Sequence, residues 1–329
     1  YTHLSLHKSE VSTPFRTDFG LAEGNTTVYL TYANTDDNSL YIDASLTISE
    51  TTADVAFDHA KSAVVYGTPD PLETLTWTKN GDDKFEVATA QHLLQIMNQG
   101  TIFADLGDHP NNYWESDYVQ TSDVDLVDDH ASILPIGNST TAFTEEYDGG
   151  LFEIKNWSFA SSTELYQGLF GKASSATLQR IRLSGVWTLS GLPSGSASAT
   201  GFMCANVLYG SVDDVEGDFA EGTVMTSTAD NRSALFGSVT GCSLDRVTLR
   251  GSVHFDSSST GDCGGMMGQI AYHATATNWR NLATSSNGIS GENVGGICGN
   301  FDGWFVTASN WLNAMSGDIN GQWSGGLIG

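Results

Sequence analysis

The sequence predicts an all-β fold built around a parallel β-solenoid, and three observations support this prediction. A tetrad of small and apolar residues recurs every 30–33 residues, at Gly168–Gly171, Gly201–Cys204, Ala234–Gly237, Gly265–Gly268, Gly296–Gly299 and Gly326–Gly329. The stretches between the tetrads are short and alternate apolar with polar residues, as strands do, with turn residues such as Gly and Asn between them. The composition is rich in Gly, Ser, Thr and Asn, which suits strands and turns better than long helices.

The first 83 residues carry no tetrad and are expected to form a separate small β-rich N-terminal domain. Two alternating segments, 27–32 and 40–48, read as strands joined by a turn at 34–38. The solenoid is expected to occupy residues 84–329.

One short helix is predicted at the start of the solenoid, where it would cap exposed strand edges. Thr89 is a suitable N-cap, and Gly100 is a suitable end of the helix. Three apolar residues between them have helical spacing, namely Leu93, Leu94 and Met97.

The tetrads define the repeating unit. A period of 20–50 residues is typical of solenoids and propellers, but a propeller blade of ~40–50 residues is longer than this repeat. We expect the repeats to continue beyond residue 329 and their apolar residues to stack in register in the interior, with ~4.8 Å between turns. The predicted column contains Leu169, Phe170, Leu235, Phe236, Met266, Met267, Ile297, Leu327 and Ile328.

The charge balance excludes several classes of partner. The 329 residues contain 39 Asp and Glu against 13 Lys and Arg, which gives a formal net charge of −26. Such a chain repels the phosphates of nucleic acids and the anionic lipids of membrane surfaces. No apolar run approaches the ~18 residues that a membrane-spanning helix needs. We therefore expect neither nucleic-acid binding nor membrane insertion.

Four N-glycosylation sequons indicate a secreted or surface-displayed glycoprotein. In each of them, an asparagine stands two positions before Ser or Thr. The four candidate acceptors are Asn25, Asn138, Asn156 and Asn231.

The four cysteines match no zinc-binding pattern, and an extracellular location would favour disulfides. Cys242 and Cys263 are the expected disulfide, because both adjoin a glycine and they flank one strand pair. Cys204 and Cys298 lie in tetrads three repeats apart, too far for a bond, and are expected to be buried free thiols.

Several segments resemble a known family, the GLUG-motif repeat proteins. In order along the chain they are Asp123-Val-Asp-Leu126, Pro135-Ile-Gly137, Phe143-Thr-Glu-Glu-Tyr-Asp-Gly149 running into Ile154-Lys-Asn156, and the tetrads. The resemblance covers about residues 84–329, although Glu145 stands where the family usually has Gly. It implies a right-handed β-helix on a large surface protein, and a stalk or binding surface rather than an enzyme.

One local segment resembles a catalytic motif. Thr260-Gly-Asp-Cys-Gly-Gly265 is similar to the nucleophile segment of chymotrypsin-like cysteine proteases, with His109 or His130 as the base. The same pair of glycines opens other tetrads where no nucleophile stands, so the repeat explains these residues better.

Three other groups of residues suggest binding or catalysis. Acidic clusters at 36–37, 123–129 and 213–218 make Ca²⁺ a candidate ligand, although none has EF-hand spacing, and no other cofactor is expected. Carboxylates could also serve a carbohydrate-active enzyme. A sugar-stacking platform could use Trp279, Trp304, Trp311 and Trp323, although packing in the core is the commoner role of such tryptophans. A surface ladder, most simply with a structural role, would use Arg180, Arg246 and Arg280, which occupy the same phase of the repeat.

These observations favour a non-enzymatic structural or adhesive solenoid of an extracellular filament, fibre or adhesin. Its expected partners are other subunits of a surface assembly or glycans. The alternatives are a carbohydrate-active β-helix enzyme, which would need convergent carboxylates in a groove, and a cysteine protease that uses Cys263.

Overall fold

The computed structural model describes residues 26–33, 41–48, 74–101, 103–126, 134–160, 164–190, 198–227, 229–255, 261–285, 289–302 and 305–329. The chain divides into two compact units, Tyr1–Glu73 and Thr74–Gly329. In the first unit, β1 (Thr26–Ala33) and β2 (Tyr41–Ile48) form an antiparallel pair. Both strands match the alternation in the sequence, and the predicted turn at 34–38 lies outside the described residues.

The second unit contains one described helix, α1 (Ala90–Met97). Its strands are β3 (Thr74–Trp77), β4 (Phe85–Val87), β5 (Ala104–Gly107), β6 (Tyr118–Gln120), β7 (Val124–Asp125), β8 (Glu146–Asp148), β9 (Glu153–Lys155), β10 (Ser158–Ala160), β11 (Tyr166–Gln167), β12 (Phe170–Ser174), β13 (Thr177–Gln179), β14 (Arg182–Gly185), β15 (Thr188–Ser190), β16 (Ala199–Thr200), β17 (Cys204–Leu208), β18 (Ser211–Phe219), β19 (Val224–Met225), β20 (Asn231–Ser233), β21 (Phe236–Thr240), β22 (Ser243–Gly251), β23 (His254–Phe255), β24 (Asp262–Gly264), β25 (Met267–Ala271), β26 (Thr275–Asn281), β27 (Ile289–Gly295), β28 (Cys298–Asp302), β29 (Thr307–Ser309), β30 (Leu312–Asn313) and β31 (Ile319–Gly325).

Four parallel sheets form the walls of a β-solenoid of about seven turns, which confirms the predicted fold class. Sheet A follows the path β4-β6-β8-β13-β18-β22-β26-β29, with β7, β9, β14 and β30 beside it. Sheet B is β12-β17-β21-β25-β28, sheet C is β11-β16-β20-β24-β27-β31, and sheet D is β10-β15-β19-β23. One turn runs through β20, β21, β22 and β23 before β24 returns to sheet C. This turn therefore visits sheets C, B, A and D in that order, and the described turns after it follow the same order without a strand in sheet D.

The tetrads lie at the corner between sheets C and B, and their apolar residues stack in register as predicted. The third residue of each tetrad pairs with the equivalent residue of the next turn, in the series Phe170, Cys204, Phe236, Met267, Cys298 and Ile328. All but the last are fully buried, whereas Leu327 and Ile328 of the last turn are 43% and 37% exposed and differ in this from the prediction. The tetrad period in the sequence therefore corresponds to one turn of the solenoid.

The register differs from the sequence alignment in one turn. Cys204 occupies the third tetrad position, because it pairs with both Phe170 and Phe236. Ala205 then stands at the fourth position, where the neighbouring turns have Gly171 and Gly237. The step from Phe170 to Cys204 is therefore one residue longer than the spacing of the tetrads, and the step from Cys204 to Phe236 is one residue shorter.

Helix α1 begins and ends where the sequence predicts. The Thr89 hydroxyl accepts a hydrogen bond from the His92 N–H at 3.4 Å, as an N-cap does. After Met97 the backbone turns left-handed, with φ of 78° at Gly100, whose N–H donates to the Gln95 carbonyl at 2.9 Å.

The second unit starts at Thr74 rather than at residue 84. The reason is that β3 pairs with β5 and that the Trp77 ring packs edge-on against His92 of the helix, with 4.7 Å between ring centroids. Within the described ranges, no helix has the length and apolar character needed to span a membrane.

A repeated segment, Asn278-Trp-Arg-Asn281 and Asn310-Trp-Leu-Asn313, links the walls through the interior. Trp279 is fully buried, and its ring centroid lies 6.0 Å from that of Trp311 in the next turn. Asn281 is also fully buried, and its Nδ2 donates to the Gly296 carbonyl at 2.5 Å. Asn313 repeats this bond to Gly326 at 2.6 Å. In both turns, the last Asn of this segment thus donates a hydrogen bond to a backbone carbonyl at the tetrad corner.

Candidate functional site

The outer side of sheet A carries a charged ladder, in which cations pair with carboxylates. Most pairs join neighbouring turns of the solenoid. The pairs of the ladder are Lys84–Glu146, Lys155–Asp123, Lys155–Glu153, Arg180–Asp148, Arg182–Asp214, Arg182–Glu216, Arg246–Asp213, Arg246–Asp245 and Arg250–Glu216. In a chain with a net charge of −26, these cations reduce the repulsion between carboxylates stacked along the axis.

A left-handed residue bends the strands of sheet A at the same point in successive turns. The residues are Arg180, Asp214, Arg246, Asn278 and Asn310, with φ between 50° and 58°. Each directly follows residues paired in register, such as Asp213 and Asp245. Asparagine adopts this backbone conformation more readily than most residues. The Asn310 amide also donates to the Asn278 Oδ1 at 3.1 Å, so the bend is joined from turn to turn.

The predicted ladder of three arginines is correct for two of them. Arg180 and Arg246 both occupy the left-handed position, with Asp214 in the turn between them. Arg280 lies two residues later in the repeat, because it pairs with Thr248 rather than following the bend. The cations therefore alternate with acidic partners instead of stacking on one another.

Hydrogen bonds lower the pKa of several carboxyls in the ladder. The Thr277 hydroxyl and the Asn278 amide donate to Asp245 at 2.5 and 2.7 Å and hold the pKa of Asp245 below its ordinary value. Burial would raise the pKa of Asp148, but the hydrogen bonds from Arg180 and the Gly150 N–H outweigh it, so this pKa also lies below its ordinary value.

The lowered pKa of Asp148 predicts a pH-dependent contribution to stability. A carboxyl with a depressed folded-state pKa stabilises the fold above its unfolded pKa, about 3.9, and this contribution disappears as the pH falls through the folded pKa. We expect Asp148→Asn to lower the free energy of unfolding by about 1–2 kcal/mol at pH 7. Urea denaturation of both proteins should show the difference closing below about pH 4. A difference that is constant with pH would contradict the assignment.

The structure places the candidate nucleophile inside the solenoid. Cys263 lies in β24 and is fully buried between its sheet partners Arg232 and Val294. Burial raises the pKa of the Cys263 thiol, although the guanidinium of the buried Arg232 opposes this shift. His109 is exposed and contacts the Pro110 carbonyl. A reactive cysteine is a partly exposed thiolate with a lowered pKa, whereas the Cys263 thiol is buried and its pKa is raised. His130 lies outside the described residues.

The predicted disulfide between Cys242 and Cys263 is absent from the structure, in which all four thiols are free and buried. Cys242 lies at the corner between sheets B and A, where its thiol donates to the Thr240 carbonyl at 3.1 Å. Cys263 lies in sheet C, so the two side chains belong to different walls. The expectation of buried free thiols is confirmed for Cys204 and Cys298.

Because all four thiols are buried, we expect them to resist alkylation in the native protein. Alkylation by iodoacetamide requires an exposed thiolate, and burial raises the thiol pKa of Cys204, Cys242, Cys263 and Cys298. We expect mass spectrometry to find all four unmodified in the native protein and alkylated in denaturant without prior reduction. A Cys242–Cys263 peptide under non-reducing conditions would contradict this result.

Three of the four sequon asparagines are described, and their environments differ. The Asn156 amide donates to Asp125 at 2.9 Å, and its Oδ1 accepts from the Val186 N–H at 2.9 Å. Asn231 lies within β20, half-buried, and its amide reaches Gln269. Asn138 lies in a turn, where only its Oδ1 is engaged, by the N–H groups of residues 140 and 141. Asn25 lies outside the described residues.

The environments of the three described sequons predict that only one of them carries a glycan. Glycan transfer requires an accessible amide nitrogen on a surface loop. When the chain is expressed through a eukaryotic secretory pathway, we expect a glycan at Asn138 and none at Asn156 or Asn231. Glycopeptide mass spectrometry, with Asn138→Gln as the control, checks this result. Occupancy at Asn156 or Asn231 would contradict the described hydrogen bonds.

The acidic clusters do not converge on a cation site within the described part of the chain, where no group of three metal-ligating side chains lies together. Asp123 and Asp125 face the same side of their segment, as predicted, but Asp123 binds Lys155 and Asp125 accepts from Asn156. In the third cluster, Asp213, Asp214 and Glu216 belong to the charged ladder. Residues 36–37 and 127–129 lie outside the described residues.

The predicted tryptophan platform does not form as a unit. Trp279 is in the interior, Trp311 packs against it, and Trp323 is 66% exposed on sheet C. Trp304 lies outside the described residues.

Arg232 is a cation buried inside an apolar column, and its burial was not predicted from the sequence. The reason is that its triplet, Asn231-Arg-Ser233, has the pattern of a sequon, which predicts a surface position.

No protein-family model and no curated protein matches the sequence. Among solved structures, the chain is similar to the crystal structure of "a putative immunoglobulin A1 protease" from Bacteroides ovatus. The two are 12% identical, the TM-score is 0.43, and the similarity covers 72% of this chain and 85% of that one.

Proposed function

We propose that this chain is a non-enzymatic structural or adhesive solenoid of an extracellular or surface-displayed filament, fibre or adhesin. The proposal rests on one observation: the repeated residues make their contacts within the solenoid and stabilise its fold. Tetrad side chains fill its interior, Asn281 and Asn313 join its walls, and the charged ladder pairs its turns. The resemblance to GLUG-motif proteins belongs to the same proposal.

The geometry gives less support to an enzyme. A glycosidase needs two carboxyl groups that flank the substrate bond. The carboxylates of the charged ladder instead bind lysines and arginines, as Asp148 binds Arg180. The thiol of Cys263 is buried, as described above. These contacts stabilise the fold and leave the groups engaged before any substrate arrives.

Antibody labelling of the organism or virion that makes the protein tests the proposed location. We expect immunogold particles on the outer surface of intact, unpermeabilised material, because surface display requires the chain to lie outside. Labelling that appears only after permeabilisation would overturn the proposal. Deletion of the chain should reduce attachment or filament formation without removing a hydrolytic activity.

A second measurement addresses catalysis directly. The purified chain, incubated with casein and with neutral polysaccharides, should release no new amino termini or reducing ends above a heat-denatured control. Any background activity of the preparation should be the same in Cys263→Ala. Loss of a measured activity in that variant would identify the chain as an enzyme.

A further inference from the structure

The corner between sheets B and A carries an aromatic ridge, formed by Tyr209, Tyr272, His273 and Phe305. Tyr209 and Tyr272 directly follow Leu208 and Ala271, the ends of β17 and β25, and Gly241 follows the end of β21 in the turn between. His273 directly follows Tyr272, and Phe305 lies at the corresponding corner of the next turn, between β28 and β29. The side chains of Tyr209, Tyr272 and Phe305 are 68%, 55% and 73% exposed.

The aromatic rings of the ridge cover the corner from turn to turn. A Cβ placed on Gly241 would lie 2.5 Å from Cδ1 of Tyr209, so the Tyr209 ring lies over the glycine of the next turn. The His273 and Phe305 rings are stacked, with 5.1 Å between centroids and 10° between planes. The ridge therefore contains one stacked ring pair, His273–Phe305, and one ring, Tyr209, that lies over the neighbouring turn, with the exposed Tyr272 between them.

The backbone of the ridge is in the left-handed region, which large side chains rarely adopt. The φ angles are 55° at Tyr209, 37° at Tyr272, 54° at His273 and 65° at Phe305. Gly241 occupies the equivalent corner at 67° without a steric cost. Ser175 occupies the equivalent corner of an earlier turn with φ of 58°, so the geometry of the turn sets this conformation, and the exposed rings themselves contribute little to the core.

A file of hydroxyl groups runs beside the ridge at the start of sheet A. Its residues pair in register over five turns and are half-buried or exposed. The file consists of Thr177, Ser211, Ser243, Thr275 and Thr307. Hydroxyls of this kind both donate and accept hydrogen bonds.

We propose that the aromatic ridge and its hydroxyl file bind a neutral polysaccharide chain that lies along the solenoid axis. The C–H faces of β-linked pyranoses are flat and apolar and stack on aromatic rings, while their equatorial hydroxyls bond to polar side chains at the edge. The net charge of −26 disfavours anionic polysaccharides and a second copy of this chain as occupants. The inference rests on the adhesive form of the proposed function.

Affinity gel electrophoresis tests the ridge with the intact chain. The gels contain hydroxyethyl cellulose, xyloglucan, galactomannan or mixed-linkage β-glucan. We expect at least one of these polysaccharides to retard the chain. The variants Tyr209→Ala and Phe305→Ala should each weaken the binding about threefold to tenfold. Trp323→Ala is the matched control, because it removes an equally exposed aromatic ring from a different sheet.

Three outcomes would overturn the inference: no retardation by any of the four polysaccharides, equal loss in the Trp323→Ala control, or ridge variants that change the oligomeric state instead of the retardation. Circular dichroism confirms that each variant is folded. Surface labelling without polysaccharide binding would sink this inference alone and leave the structural role intact.

Discussion

Replacing Trp279 with alanine is expected to lower the free energy of unfolding by about 3–5 kcal/mol, the range for a large aromatic residue in a packed core. Trp279 is fully buried and contacts the Phe236 ring at 5.8 Å and the Trp311 ring at 6.0 Å between centroids. Its removal leaves a cavity that spans two turns. Urea denaturation followed by far-ultraviolet circular dichroism measures the change.

Trp323→Ala is the matched control for this substitution, because the same side chain is removed from a position that is largely exposed. Surface substitutions usually change stability by less than about 0.5 kcal/mol. Similar losses in both variants would mean that Trp279 is not in the interior of the solenoid, which would contradict the register of sheet A.

Gly265→Ala is expected to cost about 1–3 kcal/mol through overpacking at the tetrad corner. A Cβ at this position would lie 2.2 Å from the Gly296 carbonyl oxygen and 2.4 Å from Nδ2 of Asn281. Neither group can move freely, since one is backbone of the next turn and the other is fully buried. Thermal and urea denaturation measure the loss.

Gly81→Ala provides the comparison, because a Cβ at Gly81 would meet nothing within 4 Å and this glycine is not in the left-handed region. We expect Gly81→Ala to change stability by less than about 0.5 kcal/mol. Equal costs for the two substitutions would contradict the close approach of neighbouring turns at Gly265.

Repeated local patterns were the most predictable part of this protein. The tetrad period predicted the interior column from Phe170 to Cys298, because every turn of a solenoid places the same residue in the same environment. The helix at Ala90–Met97 was predictable for a different reason. Its N-cap Thr89 and its left-handed end at Gly100 are local signals that do not depend on the rest of the chain.

The misassigned residues depend on register. Arg280 was placed with Arg180 and Arg246 by counting, although the paired strands put it two residues further along the repeat. The disulfide was predicted from flanking glycines, but Cys242 and Cys263 belong to different walls. Sequence spacing gives the length of a turn, whereas the sheet pairing determines which residues of neighbouring turns meet.

The sequence by itself determined that the chain is an acidic, repeating all-β solenoid, because period, alternation and charge are properties of the residues in order. Only the tertiary structure decided which side chains face the interior and which face solvent at each corner. Contacts between neighbouring turns determine the exposure of Tyr209, the burial of Arg232 and the pairing of Arg246 with Asp213. The physical reason is that the pairing of strands between turns, and not the spacing in the sequence, determines which residues meet. The extra residue between Phe170 and Cys204 is compensated before Phe236, so the register is regained one turn later.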